Sequence, residues 1–523
     1  MPRNIKRLAL FSMTVLSAFI VTACAGTNSG QTGSEGRDRL VAAQSGDPVS
    51  LDLHRANDVN SSLITGQMFE TLVTQNMETM AIEPALATDW RLLEDGVTWE
   101  FDLRQNVVFH NGEPFTADDV LFTFQRAAAF PQIDVILGMI DTANIVVVDD
   151  YTIHIPTFEP FAPFLRNLSH TVAGIMNREA VETAEAQSEA AVSANPVGTG
   201  PFEFVQWVAG DFVELRRFED FYGDLPAFET LIVRTIAENS NRIIELETGA
   251  IDIAITIDPN DINRVENSSD MVLHRQPNFS TQYLGLNTRN PILADVRVRQ
   301  ALNYAVDVES IVTHLMNGVG SLSVGPIGSN VWGFNNNLTG YGFDLDRARE
   351  LLAEAGIDEN NRVSLNLWTS NAGVGPVIAE AVQAQLRVVG IDVTISPMEW
   401  ATYIEALNGE AHDMFVMGWG TVTGDADYGL YSLFHSQQDP SAGNRFFLDN
   451  PRIDEILDEA RTLTDDDARR LELYHEVQEI IVEEAPWIFL WTSETVLATR
   501  AEVQNFELSP VNHHRFRGVT FAE

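Results

Sequence analysis

The amino-acid sequence predicts an α/β protein built from more than one lobe, and three observations carry that reading. Short apolar stretches alternate with longer amphipathic ones along the body, as strands interleaved with helices do. The chain is 523 residues long, more than one compact core usually organises. Hydrophobic residues make up 45% of it and cysteine occurs once, so apolar packing and not disulfide cross-linking must hold the fold.

In chain order, Arg3, Lys6 and Arg7 precede an apolar run from Leu8 to Val21 and the tetrapeptide Val21-Thr22-Ala23-Cys24. This reads as a secretory signal over residues 1–23, since the run falls short of the roughly 20 residues a membrane span needs. The Gly, Ser, Thr and Asn-rich stretch after it reads as a flexible tether over residues 24–39. Alternation and β-branched content predict strands over 98–103, 145–148, 152–155, 212–216, 363–367 and 393–395. Thr116, with Asp119 three residues on and Val120, Leu121 and Phe124 beyond, predicts a capped helix to about residue 128. Helical periodicity places further helices over 295–305, 346–355, 377–389, 453–462 and 466–484, with Gly356 and Gly390 as stops and Pro486 beyond the last. Gly198 and Gly200, on either side of Thr199, read as a corner with positive φ.

A net charge of −43 argues against nucleic acid as a partner. Lys6 is the only lysine, which removes a Walker A phosphate loop, a Schiff base and a pyridoxal anchor from the rest of the chain. No G-x-S-x-G, H-E-x-x-H or G-x-G-x-x-G occurs. The reading is therefore of a protein that is not an enzyme and needs no cofactor. The adjacent His513 and His514 lack the spacing of a metal site.

Four stretches in fixed order carry a resemblance. They are residues 90–126 (WRLLEDGVTWEFDLRQNVVFHNGEPFTADDVLFTFQR), 196–202 (PVGTGPF) with 246–254 (LETGAIDIA), 295–305 (DVRVRQALNYA), and the set Gly390-Ile391-Asp392-Val393, Gly418-Trp419 and Glu484-Ala485-Pro486-Trp487. The chain resembles the bacterial extracellular solute-binding proteins of family 5, the oligopeptide, dipeptide, glutathione and nickel-binding lipoproteins of ABC importers. Its nearest likeness within them is to the glutathione-binding members. The resemblance implies a two-lobed periplasmic-binding-protein fold of type II, in the large peptide-binding class with an extra subdomain. It assigns 40–60, 195–280 and 500–523 to lobe I, 61–194 to the extra subdomain and 281–499 to lobe II, with crossings near 278–286 and 495–500. It also implies a monomer that closes on a peptide-like solute and hands it to the permease subunits. The Val-Thr-Ala-Cys24 sequence is similar to a lipobox, which implies acylation of Cys24 and a membrane contact through that lipid alone, facing outward.

In dipeptide binders of this family an arginine holds the ligand carboxylate and an aspartate its ammonium. Counted without gaps, those positions fall on Thr369 and Val422. A dipeptide clamped by its two charges would lose partners worth about 1.5–3 kcal/mol each. Residues 423–428, TGDADY, look instead like the T-G-E-A-D-W stretch of glutathione binders, with Asp425 for Glu and Tyr428 for Trp. On this resemblance Trp419 offers a flat face and an N–H donor, flanked by Thr421 and Thr423. Asp425 and Asp427 either receive an ammonium or cap a turn. Thr369, Ser370 and Asn371 form a polar loop after a strand, and Asn57, Asp58 and His170 complete the likeness. Arg445 is a candidate carboxylate partner, with Arg126, Arg275 and Arg289 as alternatives that helix-end or surface pairing explains as well. The function implied is capture of glutathione or a similar oligopeptide. Longer oligopeptides, a nickel chelate or an oligosaccharide are the alternatives on the same fold, and an exported hydrolase with a carboxylate pair is the alternative from another class.

Overall fold

The computed structural model describes residues 37–76 and 79–522. The expected signal, Cys24 and residues 24–36 of the tether lie outside them. Arg39, assigned to the tether from sequence, opens the first strand, Arg39–Gln44.

Local patterns become structure where the sequence is most periodic. Thr98–Leu103 is a strand whose alternate side chains Trp99, Phe101 and Leu103 are buried. Ala117–Ala127 is a helix behind Thr116, whose backbone N–H donates to the Asp119 carboxylate at 3.1 Å. Asp295 and Asp466 cap Val296–Ala305 and Asp467–Glu484. Gly356 and Gly390 stand at φ +80° and +92°, the left-handed conformation that ends a helix. The strand expected at 393–395 extends over Ile391–Met398, because all eight of its residues pair in parallel with Val363–Ser370.

Among the described residues an 11-stranded sheet runs through the molecule. Two long antiparallel strands, Met271–Leu286 and Trp487–Arg500, belong to both of its halves. On one side lie Met414–Gly420, Val363–Ser370 and Ile391–Met398; on the other lie Ile253–Ala254, Arg39–Gln44, Thr230–Thr235, Phe212–Arg217 and Phe202–Val208. The pairing of the long strands lapses between Pro277 and Thr281, opposite Glu494 and Thr492. Pro277 has no N–H to give the ladder. The backbone here turns to other partners: Phe279 N–H donates to Pro510 O at 3.2 Å, and its carbonyl accepts from Thr421 N–H at 3.0 Å. The joint thus fixes Thr421 and the C-terminal segment beside it.

A separate core, including Phe101, Phe124, Phe161 and Phe164, fills residues 72–175 around a four-stranded sheet. Val422 and Tyr428 pack against it from across the joint. Leu63, Ile64, Met176 and Val192 pack instead with Arg39–Gln44 and its neighbours.

The 198–200 corner corrects one expectation. Neither glycine has positive φ. Close approach requires them: a Cβ on Gly198 would stand 2.1 Å from Met68 O, and one on Gly200 2.7 Å from Gln67 O. His110 locks the corner, accepting at Nδ1 from Gly198 N–H at 3.3 Å and donating from Nε2 to Gly200 O at 3.0 Å.

Candidate functional site

Two cavities flank the joint. The first, about 390 Å³, opens at the C-terminal ends of the parallel strands, where α/β sheets commonly take ligands. Thr369, Ser370, Trp400, Trp419, Ser280 and Gln282 help to line it. The Trp419 ring rests on Tyr428 with centroids 5.7 Å apart, and its Nε1 is shielded from solvent without a protein partner. Thr369 is fully buried and Ser370 half-buried, whereas Asn371 is exposed and lines neither cavity.

The second cavity, about 300 Å³, is lined among others by Glu70, Gln75, His170, Tyr222, Val422 and Arg515. Glu70 accepts from Tyr222 Oη at 2.7 Å and from Thr199 Oγ1 at 3.0 Å, which is what the tight glycine corner positions Thr199 to do. Burial pushes the Glu70 carboxyl up to about 7 against these hydrogen bonds and the nearby Arg517 and Arg104. His170 is 5% exposed, accepts at Nδ1 from Val172 N–H at 3.3 Å, and meets the His513 ring edge-on at 5.5 Å. Burial, with His513 adding to it, draws His170 down to about 3, so it stays neutral. Gln75 Nε2 and Thr171 Oγ1 are shielded and lack protein partners.

Several predicted contacts lie elsewhere. Asp425 is fully buried, 3.1 Å from Arg470 Nη2 and 3.3 Å from Arg166 Nε, and caps Ala426–Phe434 through Asp427 N–H at 2.9 Å. Arg166 and Arg470 lie 5.1 and 4.6 Å from the Trp332 ring centre. Asp427 faces Arg461 at 3.5 Å, and burial raises it to about 6. Thr421 and Thr423 are buried beneath the surface, Thr423 Oγ1 accepting from Asp425 N–H at 3.4 Å. The 421–427 segment therefore ties elements together, and Val422 is its residue at a cavity wall. Asp58 caps Val59–Met68, accepting from Ser61 N–H at 3.0 Å, and Asn57 is exposed. Arg445 is buried, donates to Ser441 O at 3.2 Å and lines neither cavity. The residues that sequence reasoning missed are Glu70, Gln75, Tyr222, Trp400, Arg515 and Arg517. For the last two a signal existed: in His513-His514-Arg515-Phe516-Arg517 alternate positions share one face.

The sequence model of the bacterial extracellular solute-binding proteins, family 5 (middle region), matches residues 81–441. The dipeptide-binding protein of Escherichia coli (strain K12) is 29% identical over 482 residues, covering 87% of this chain and 89% of that protein. Glutathione-binding protein GsiB of Pectobacterium atrosepticum is 29% identical over 487 residues, covering 91% and 92%. The structure of the periplasmic binding protein DppA from Helicobacter pylori in complex with the peptide STSA aligns with TM-score 0.78 at 29% identity, over 93% of this chain and 99% of that one. HbpA2 from Haemophilus parasuis aligns with TM-score 0.84 at 28% identity, over 93% and 100%.

Proposed function

Because the chain belongs to the bacterial extracellular solute-binding proteins of family 5, we propose that it captures a short peptide-like solute, glutathione or a similar oligopeptide, and delivers it to the permease of an ABC importer. One observation carries this reading. Beside the joint, Trp419 Nε1, Gln75 Nε2 and Thr171 Oγ1 are shielded from solvent and have no protein partner. A peptide backbone supplies acceptors for such groups, and a buried donor left unmet costs about 1–3 kcal/mol. The ligand would favour the closed state by satisfying groups from both sides of the joint at once.

In this reading the lobes are 40–60 with 195–280 and 500–523, and 281–499; the extra subdomain, expected over 61–194, narrows to the 72–175 core, because Leu63, Ile64, Met176 and Val192 pack with the first lobe. The protein works as a monomer, tethered through lipid on Cys24 to the outer face of the cytoplasmic membrane, and releases its solute chemically unchanged. Among the described residues no helix is long and apolar enough to cross a membrane. The test is mass spectrometry of solute that co-purifies, then calorimetry with reduced and oxidised glutathione and with di-, tri- and pentapeptides. Recovery of intact peptide supports capture, and hydrolysis of the panel refutes it. If saturating glutathione leaves the melting temperature unchanged while longer peptides raise it, the glutathione preference is wrong. Incorporation of labelled palmitate that is lost in Cys24→Ser tests the anchor.

A further inference from the structure

The 300 Å³ cavity brings two arginines, Arg515 and Arg517, to one wall together with the carboxyls of Glu70 and Glu83. In a chain of net charge −43, most arginines of the described residues sit in ion pairs with carboxylates, as Arg126 does with Asp52 at 2.7 Å and Arg299 with Glu484 at 2.9 Å. Arg515 and Arg517, both at the wall of this cavity, have no carboxylate oxygen within ion-pair distance among the described residues. Arg515 forms a β-bridge with Glu507, and Arg517 follows in the turn that Val519 N–H closes on Phe516 O at 3.0 Å. His513, Arg515 and Arg517 line the cavity, and His514 and Phe516 are fully buried.

Both guanidiniums are held on one side and open on the other. Arg515 Nη2 donates to Thr74 Oγ1, and Arg517 lies 5.8 Å from the Phe221 ring centre. Gln75, 7% exposed, adds its partnerless amide nitrogen to the same wall. The two carboxyls of the lining are already engaged, Glu83 by Asn76 Nδ2 at 2.9 Å and Glu70 by Tyr222 and Thr199. His170 and His513 are neutral at pH 7, since burial lowers them to about 3 and about 4. What remains free is a donor-rich, cationic surface.

We infer that the 513–517 segment is an anion subsite that receives a carboxylate of the solute on Arg515 and Arg517, with Gln75 as a neutral donor beside them. The inference rests on the reading of these cavities as the solute cleft. It also moves the receptor for negative charge from the Thr369 position to the opposite side of the joint. Both guanidiniums reach the same cavity, and paired forks can grip one carboxylate or two on a short molecule.

Isothermal calorimetry at fixed ionic strength tests it with glutathione, Ala-Ala-Glu, the amidated form of each, and glutarate. Amidation should weaken wild-type binding by roughly 10- to 100-fold. The R515Q/R517Q variant should bind acid and amide forms alike, and R515K/R517K, which keeps the charge but not the fork, should fall between. Circular dichroism verifies that each variant is folded, and the lysine pair remains informative if the glutamine pair is not. Peptide binding in which the folded variants keep the wild-type preference for the acid forms overturns the subsite and leaves the peptide reading intact. Glutarate binding that depends on the arginines, with no peptide bound, overturns the peptide reading and leaves the subsite intact. If neither peptides nor glutarate bind the wild type, both fall.

Discussion

Replacing Asp425 with alanine separates a solute contact from a structural tie. The Asp425 carboxylate is fully buried and shared by Arg470, whose side chain is 3% exposed, and Arg166, at 13%. Arg470 retains Asp467 at 3.2 Å, and Arg166 keeps Met80 O at 2.7 Å but no carboxylate. Removing one partner of a buried pair costs about 3–5 kcal/mol, because the other charge stays buried. The lost cap at Asp427 N–H adds about 1 kcal/mol. Asp425→Ala should therefore lose roughly 4–6 kcal/mol, and Asp425→Asn, which keeps an acceptor for the cap, about 1 kcal/mol less. Urea unfolding followed by tryptophan fluorescence measures the midpoint, and a fall of roughly 10 °C or more in melting temperature accompanies it for a lobe of this size. Arg166 lies in Phe164–Leu168, within the 72–175 core, so the same change should shift the population towards an open form with a larger radius of gyration in solution scattering. A variant with wild-type stability and shape but abolished solute affinity would refute this and return Asp425 to the ligand.

Three further outcomes follow from the geometry. Burial lowers His110 and His513 to about 4 and His54, His170 and His514 to about 3. Between these values and about 6.5 the unfolded chain binds more protons, so stability should fall on acidification by up to ~1.4 kcal/mol per pH unit for each histidine; a urea midpoint that stays level from pH 7 to 5 contradicts it. Glu70, raised from 4.5 to about 7, opposes this trend, because between those values the folded chain binds the extra proton and stability falls as pH rises. Glu70→Gln should gain about 1–2 kcal/mol relative to wild type between pH 5 and 8, and equal pH profiles would remove the assignment. Gly198→Ala forces a methyl to within 2.1 Å of a backbone oxygen and should cost about 3 kcal/mol or more; an unchanged melting curve would mean the 198–200 corner is slack.

The parts of the fold legible in the sequence are those whose signal is local. Alternation in Thr98–Leu103 and the Thr116 and Asp119 cap each concern neighbours a few residues apart, and both stand in the structure with the expected partners. The glycine corner was legible as a constraint but not in its kind, since the Met68 oxygen that excludes a side chain at Gly198 lies far away in sequence. The same distance hid the partners of Asp425. An aspartate after Gly-Trp reads equally as a ligand group or a cap, and only the fold brings Arg166 and Arg470 to it.

Charge in the cleft is the point at which the two kinds of knowledge meet. Sequence comparison by position finds Thr369 and Val422 where dipeptide binders carry opposite charges, which by itself suggests a cleft without electrostatic grip. The structure puts Val422 against the same cavity as Arg515 and Arg517, about 95 positions later in the chain. Both arginines are exposed to solvent, so an incoming carboxylate has to compete with the carboxylates already around them, Glu507, Glu70 and Glu83. The glycine corner and the Tyr222 and Thr199 hydroxyls hold Glu70, one of these competitors, in a site where burial raises its carboxyl to about 7. Ionised, Glu70 would draw on the same arginines that a solute carboxylate needs. Selectivity for an acidic solute therefore depends as much on how Glu70 is restrained as on the arginines themselves.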